Sequence, residues 1–328
     1  MFLQENPNYE NPAKRSRSWK RRITEMRIAV VGAGALGLYY GAILQKSGHD
    51  VYFLLRSDYE VIKSDGLTVY SINGDFHLQQ VKGFRTSTEI GVVDLVLVGL
   101  KTFANHLFEE IIPPLVGDKT KILTLQNGLG NEEMLAALFG NERILGGVAY
   151  LCSNRGKPGV VHHLGEGRIL LGEYAQIDST STETVAACFR DAGVECRIVP
   201  DLKKARWEKL VWNIPFNGLC ALTLKPVAAL LKFEPTRRLI MDIMEEVIRA
   251  ANAQSLLKDI PASIADKMVA SSLKLGQYKP SMLIDRLESR PLELEAIFGV
   301  PLRLALAKGI QMPRVQQLYA LLLLTEKD

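Results

Sequence analysis

A lysine and two asparagines recur at four-residue intervals in ARWEKLVWNIPFNGL, residues 205–219: Lys209, Asn213 and Asn217. On a helix these three share one face. The same segment carries Trp207, Leu210, Val211, Trp212, Ile214 and Phe216, so much of such a helix must be buried. An ammonium and two amides in that setting need partners, and a polar ligand is one way to supply them. A lysine of ordinary pKa, about 10.4, is protonated at neutral pH and can act as a proton donor. Pro215 falls between the two asparagines and is expected to kink the helix.

A second constellation lies in IAVVGAGALGLYYGAIL, residues 28–44, where Gly32-Ala33-Gly34-Ala35-Leu36-Gly37 spells G-x-G-x-x-G between a strand and a helix. The first glycine permits a tight turn, the second lets phosphate approach the backbone, and the third lets helix and strand pack closely. Phosphate oxygens then meet free N–H groups at the helix N-terminus. An NAD-binding protein usually carries a carboxylate at the end of the next strand, about 20 residues on. Here that strand ends Leu54-Leu55-Arg56-Ser57. A guanidinium suits a 2′-phosphate by charge and by forked geometry, so NADPH is expected rather than NADH. Lys101 directly follows DLVLVGL, and Asn127-Gly128 follows KILTLQ. Both therefore fall at carboxyl ends of strands, where open parallel sheets bind ligands. Lys101 would offer charge to the cofactor, and Asn127 a hydrogen bond to ribose, nicotinamide or substrate.

The elements that must hold these residues are legible from periodicity. From Met26, strand-length apolar runs (MRIAVVG, DVYFLLR, VVDLVLVGL, KILTLQ) alternate with helical patterns such as TFANHLFEEIIPPL and TETVAACFRDAG. This alternation predicts a Rossmann-type, doubly wound parallel α/β domain over residues 26–199. Asn73-Gly74 signals a hairpin turn within GLTVYSINGDFHLQQV, and VVHHLGEGRILLG reads as a second hairpin with a glycine-rich turn. From Pro200 the pattern is almost wholly helical, which predicts an all-α C-terminal domain over residues 200–328.

Composition narrows the partners. Residues 1–25 hold Lys14, Arg15, Arg17, Lys20, Arg21 and Arg22 against Glu5, Glu10 and Glu25, so they carry three of the chain's four net positive charges. That segment reads first as a basic, disordered extension, with an upstream start ahead of Met26 and a targeting or docking arm as the other readings, and the balanced remainder has no basic footprint for nucleic acid. No apolar run reaches the roughly 18 residues of a membrane helix. Four cysteines without C-x-x-C spacing or a signal peptide suit reduced thiols in the cytoplasm. His162 and His163 would point to opposite faces of a strand, so no metal site is expected.

Taken in order, VVGAGALG, the strand ending in Arg56, VGLKT at 98–102, LQNG at 125–128, RWEKLVWN at 206–213, KPSMLIDR at 279–286 and RPLELEAIFG at 290–299 resemble the ketopantoate reductase (2-dehydropantoate 2-reductase) family. The resemblance runs from Met26 almost to the C-terminus. It implies NADPH-dependent reduction of a 2-oxo acid to a 2-hydroxy acid, in a cleft between a Rossmann domain and a helical domain. By motif position Lys209 would be the proton donor, and Asn213, Asn217 and Ser281 would hold substrate. Glu293 falls at the family's active-site glutamate, and Lys101, Asn127 and Ser153 fall at positions that touch cofactor. The family often has an asparagine near the position of Val227, and a T-E-I-D-type run where this chain has Pro291-Leu292-Glu293-Leu294-Glu295. Two alternatives stand beside ketopantoate reduction: a relative acting on a different small oxo acid or ketone, and a non-catalytic NADP(H)-binding sensor. A homodimer is plausible by family analogy.

Overall fold

Short aliphatic runs closed by glycine or polar turns build the first half of the chain into a single sheet. The computed structural model describes residues 25–175 and 179–326; of the expected basic extension, only Glu25 falls within them. In chain order the first elements are β1 (Arg27–Val31), α1 (Ala35–Lys46), β2 (Asp50–Leu54), α2 (Tyr59–Asp65), β3 (Leu67–Ser71), β4 (Phe76–Leu78) and β5 (Lys82–Phe84). There follow α3 (Ser87–Ile90), β6 (Leu95–Val98), α4 (Phe108–Ile111), β7 (Lys121–Thr124), α5 (Asn131–Phe139), β8 (Ile144–Arg155), β9 (Val160–Glu173), α6 (Ser179–Asp191) and β10 (Cys196–Ile198). Beyond β10 every described element is helical: α7 (Leu202–Thr223), α8 (Val227–Lys232), α9 (Glu234–Asn252), α10 (Ile264–Ser272), α11 (Ser281–Leu287), α12 (Val300–Ala307) and α13 (Pro313–Thr325), with a π-turn at Glu295–Gly299.

The sheet order is β4-β3-β9-β8-β7-β6-β1-β2-β5, with β10 against β9. β2, β1, β6, β7 and β8 run parallel, and β6 reads LVLV with all four residues buried. Strands covered on both faces lose alternation and appear as continuous apolar runs. Along β1, Ile28 and Val30 join one apolar cluster with Leu38 and Phe53, while Ala29 and Val31 join another with Phe108 and Leu135. A separate core built on Trp207, Ile214, Met244 and Phe298 binds the helices together.

Three expectations are corrected or sharpened. VVHHLGEGRILLG is not a hairpin; it is the single strand β9, paired antiparallel with β8 along its length. Its glycines are absorbed as irregularities, with Glu166 at φ 60° and Gly167 at φ 126° where the register slips beside Tyr150 and Leu151. A long neighbouring strand makes a bulge the cheaper solution than a turn. TFANHLFEEIIPPL forms a 3₁₀ segment, the single turn α4 and a second 3₁₀ turn at Pro113–Leu115, because consecutive prolines cannot continue an α-helix. Helix α7 runs through Pro215 to Thr223, and Val227 lies fully buried at the start of α8.

The β1–α1 turn explains its own glycines. Gly32 has φ 101°, and a Cβ there would stand 2.3 Å from the Leu100 nitrogen; one at Gly37 would stand 2.2 Å from the Gly32 oxygen. At Gly34 nothing lies within 4 Å. Gly32→Ala and Gly37→Ala are therefore expected to destabilise by about 1–3 kcal/mol, the range for forced overpacking. Gly34→Ala should leave the thermal midpoint unchanged, a contrast that scanning calorimetry of the three variants reads directly.

Candidate active site

Helix α7 begins with Asp201, whose Oδ1 accepts the Lys204 backbone N–H at 2.8 Å and so caps the first turn. One turn on, Arg206 is 4% exposed. Its Nε donates to Glu132 Oε1 at 2.8 Å, Nη2 pairs with the same oxygen, and Nη1 donates to the Gln126 carbonyl at 2.6 Å. Glu132, in the first turn of α5, is equally buried. Removing one partner of such a pair typically costs about 3–5 kcal/mol, so the contact holds α7 firmly to the carboxyl end of β7.

That anchorage carries Lys209 between the two halves of the molecule. Its Nζ donates to Asn127 Oδ1 at 2.7 Å and to the Ala149 carbonyl of β8 at 2.6 Å. Burial first, and then the positive charge of Arg206, push the Lys209 pKa down to about 7, against an opposing pull from Glu293. The expectation of an ordinary lysine is overturned: desolvation without a bonded carboxylate leaves this amine able to gain or lose a proton near neutrality. Asn127 is itself fixed from behind. Asn131 Nδ2 donates to the Asn127 carbonyl at 2.9 Å, Asn105 Nδ2 donates to Asn131 Oδ1 at 2.9 Å, and Gln126 Nε2 donates to Asn105 Oδ1 at 2.7 Å.

Asn213 and Asn217 continue the same face of α7 and are buried. Asn217 Oδ1 accepts the Met282 N–H at 3.5 Å, which sets the start of α11, and exposed Ser281, against α7. Glu293 is buried too, but its partners are not Lys209. Oε1 accepts the Thr102 N–H at 3.0 Å, and Oε2 accepts from Lys101 Nζ at 3.3 Å. Lys101 also donates to Asp285 Oδ2 at 2.7 Å. Burial alone would lower the Lys101 pKa; Glu293 and Asp285 outweigh it and raise it. Lys101, with Arg290 on the other oxygen of Asp285, is thus a cation of an ion cluster joining the loop after β6 to the helical half. Asp285, the centre of that cluster, received no role from the sequence although it lies within KPSMLIDR.

The glycine turn fits a dinucleotide phosphate. Gly34 caps α1 without a side-chain hydrogen bond, and the space over it is open, so a pyrophosphate can reach the helix N-terminus between Ala33, Ala35 and Leu36. Arg56 is exposed at the end of β2, and among the described residues no carboxylate lies within ion-pair distance of it. Ser153 is half-buried on β8 opposite His163, farther along the strand than the Lys209 acceptor Ala149. His163 is buried within hydrogen-bond distance of Tyr39 and Ser71, and no group of three metal-binding side chains was found among the described residues. No helix among them is long and apolar enough to cross a membrane.

Comparison with known proteins follows the same division. Residues 28–176 match the family described as ketopantoate reductase PanE/ApbA, and residues 201–326 match its C-terminal counterpart. A 2-dehydropantoate 2-reductase of Nostoc sp. is 43% identical over 90% of this chain and 94% of its own length. The crystal structure of a 2-dehydropantoate 2-reductase from Geobacter metallireducens superposes with a TM-score of 0.90 at 62% identity, covering 91% of this chain and 99% of that one. The enzyme of that name from Methylococcus capsulatus gives 0.83 at 32% identity, over 92% and 96%.

The site geometry predicts a lysine that titrates apart from the others. After reductive ¹³C-methylation, one dimethyl-lysine resonance should titrate near pH 7 and be missing from Lys209→Arg. Titration of every lysine signal near its usual value would contradict the enclosed amine.

Proposed function

The chain belongs to the ketopantoate reductase family, and on that premise we propose that it reduces ketopantoate to pantoate with NADPH, through Lys209 as the proton donor. One observation carries the assignment of Lys209. A half-buried amine with a pKa lowered to about 7 is held by Asn127 and Ala149 at the carboxyl edge of the sheet, beside the Asn213/Asn217 face. A sensor that only bound the cofactor would have no use for it.

When bound, NADPH supplies the hydride that adds to the keto carbon. The backbone N–H groups at the start of α1 would hold its pyrophosphate, and Arg56 its 2′-phosphate. Lys209 donates a proton to the former carbonyl oxygen as negative charge grows there, and its ammonium stabilises that charge before transfer. Asn213, Asn217 and Ser281 bind the substrate's carboxylate and hydroxyl. Asn127 orients the amine. Glu293 raises the affinity of Lys209 for its proton through the field of its carboxylate. With Lys101 and Asp285 it ties the loop after β6 to the helical half.

The same reading places the reaction in the cytoplasm, consistent with four free cysteines. It also includes a homodimer, supported by Leu304, Leu306, Leu321 and Leu324, which the last two helices leave exposed. Light scattering should then report a particle of two chains, and a strictly monomeric particle would remove that part.

NADPH oxidation over a panel of 2-oxo acids tests the activity, with ketopantoate expected to be turned over fastest. Lys209→Ala should depress kcat by about 10²-fold or more, the scale of general acid catalysis, while NADPH still binds. Reduction needs the charged amine, so its rate should fall as pH rises through the Lys209 pKa. Near-normal turnover in Lys209→Ala, or a rate that climbs with pH, would remove the lysine from this role.

A further inference from the structure

The carboxyl end of β2 gathers more positive charge than Arg56 alone. The β8–β9 hairpin, whose second strand pairs with β3, delivers Arg155, at the last position of β8, onto the segment that follows Arg56. Arg155 Nη2 donates to Ser57 Oγ at 3.0 Å and pairs with Asp58 Oδ1. Asp58 is 2% exposed and is saturated by this arrangement: Oδ1 also accepts the Ser57 hydroxyl at 3.1 Å, and Oδ2 accepts the Gly159 N–H of the hairpin turn at 3.3 Å. Among the described residues the contacts of Arg155 all run through Nη2, and over a third of its side chain remains exposed. Its Nε and Nη1 have no hydrogen-bond acceptor among the described residues.

Burial, together with the positive fields of Arg290 and Arg56, lowers the pKa of Arg155, although an arginine stays charged at neutral pH. Within this group Arg155 is offset by Asp58, and Arg290 by Asp285 and Glu288, whereas Arg56 has no such partner. A pair formed only to lock the hairpin would gain nothing from the unpaired arginine beside it. A dianion seated between the two guanidiniums would relieve their repulsion and use the free donors of both.

We propose that Arg155 is the second arm of a two-arginine clamp for the 2′-phosphomonoester of the cofactor, with Asp58 as the positioning residue that holds that arm. The inference rests on the NADPH reading above and adds a residue to it. Because the hairpin bears Arg155, discrimination between NADPH and NADH would depend on the β8–β9 turn as well as on the end of β2.

Calorimetric titration of the full chain with adenosine 2′,5′-bisphosphate and with 5′-AMP tests this without turnover. The wild type should prefer the bisphosphate. Arg155→Gln should lose about ten- to a hundredfold in affinity for the bisphosphate, the scale of charged hydrogen bonds, and little for 5′-AMP. Asp58→Asn should lower the same preference. Arg155→Lys keeps the charge without the fork and should fall between wild type and Arg155→Gln; it also serves if the glutamine variant fails to fold. Equal losses for both ligands, or an undiminished preference in folded Arg155→Gln or Arg155→Lys, would overturn the clamp and leave a hairpin latch. A wild type that binds both ligands equally would instead sink the NADPH reading itself.

Discussion

Two cations one turn apart on a buried helix face set the terms for the rest of the site. Arg206 and Lys209 both enter the low-dielectric junction between sheet and helices, where an unpaired charge is expensive. Glu132 neutralises the arginine, and the carbonyls of Gln126 and Thr124 accept from its Nη1 and Nη2. Among the described residues the lysine is offered an amide oxygen, a peptide carbonyl and the face of the Tyr150 ring, and no bonded carboxylate. The same helix therefore carries a permanent charge that fastens it and a labile one that can exchange a proton. Arg206 contributes to both, since its field also helps to lower the lysine.

The halves meet through polar groups as well as apolar ones. Leu129 N–H donates to the Ala296 carbonyl at 2.9 Å, and Gly128, at φ 80°, lies so close that a Cβ would stand 2.3 Å from the same oxygen. On the other side of the junction, Lys101, Asp285, Glu293 and the Thr102 N–H close a cluster in which each carboxylate has a donor. An amine of lowered pKa needs such a surround. Loss of enclosure would rehydrate it and return it toward the ordinary lysine value.

The long β8–β9 pair has a part in both regions. β8 supplies the Ala149 carbonyl to Lys209 near its middle and Arg155 to the β2 segment at its end. Two register shifts interrupt the pair's ladder, beside Tyr150/Leu151 and Cys152/Ser153, and the strands stay paired on either side of them.

Much of this was legible in the chain. Glycine spacing, the arginine at the end of β2 and the alternation of apolar runs specify the nucleotide fold, because local backbone geometry and two-sided burial impose their own residue patterns. The Lys209-Asn213-Asn217 face was likewise readable, since helical spacing is a local property. Contacts between distant segments were not. Arg206 with Glu132, Lys101 with Asp285, and Arg155 with Asp58 join residues far apart in sequence through long-range packing, and no single segment carries both members of any pair. Nor could the proton affinity of Lys209 be read in advance. The residue type supplies an amine; its pKa follows from how much water and which charges the assembled structure leaves beside it.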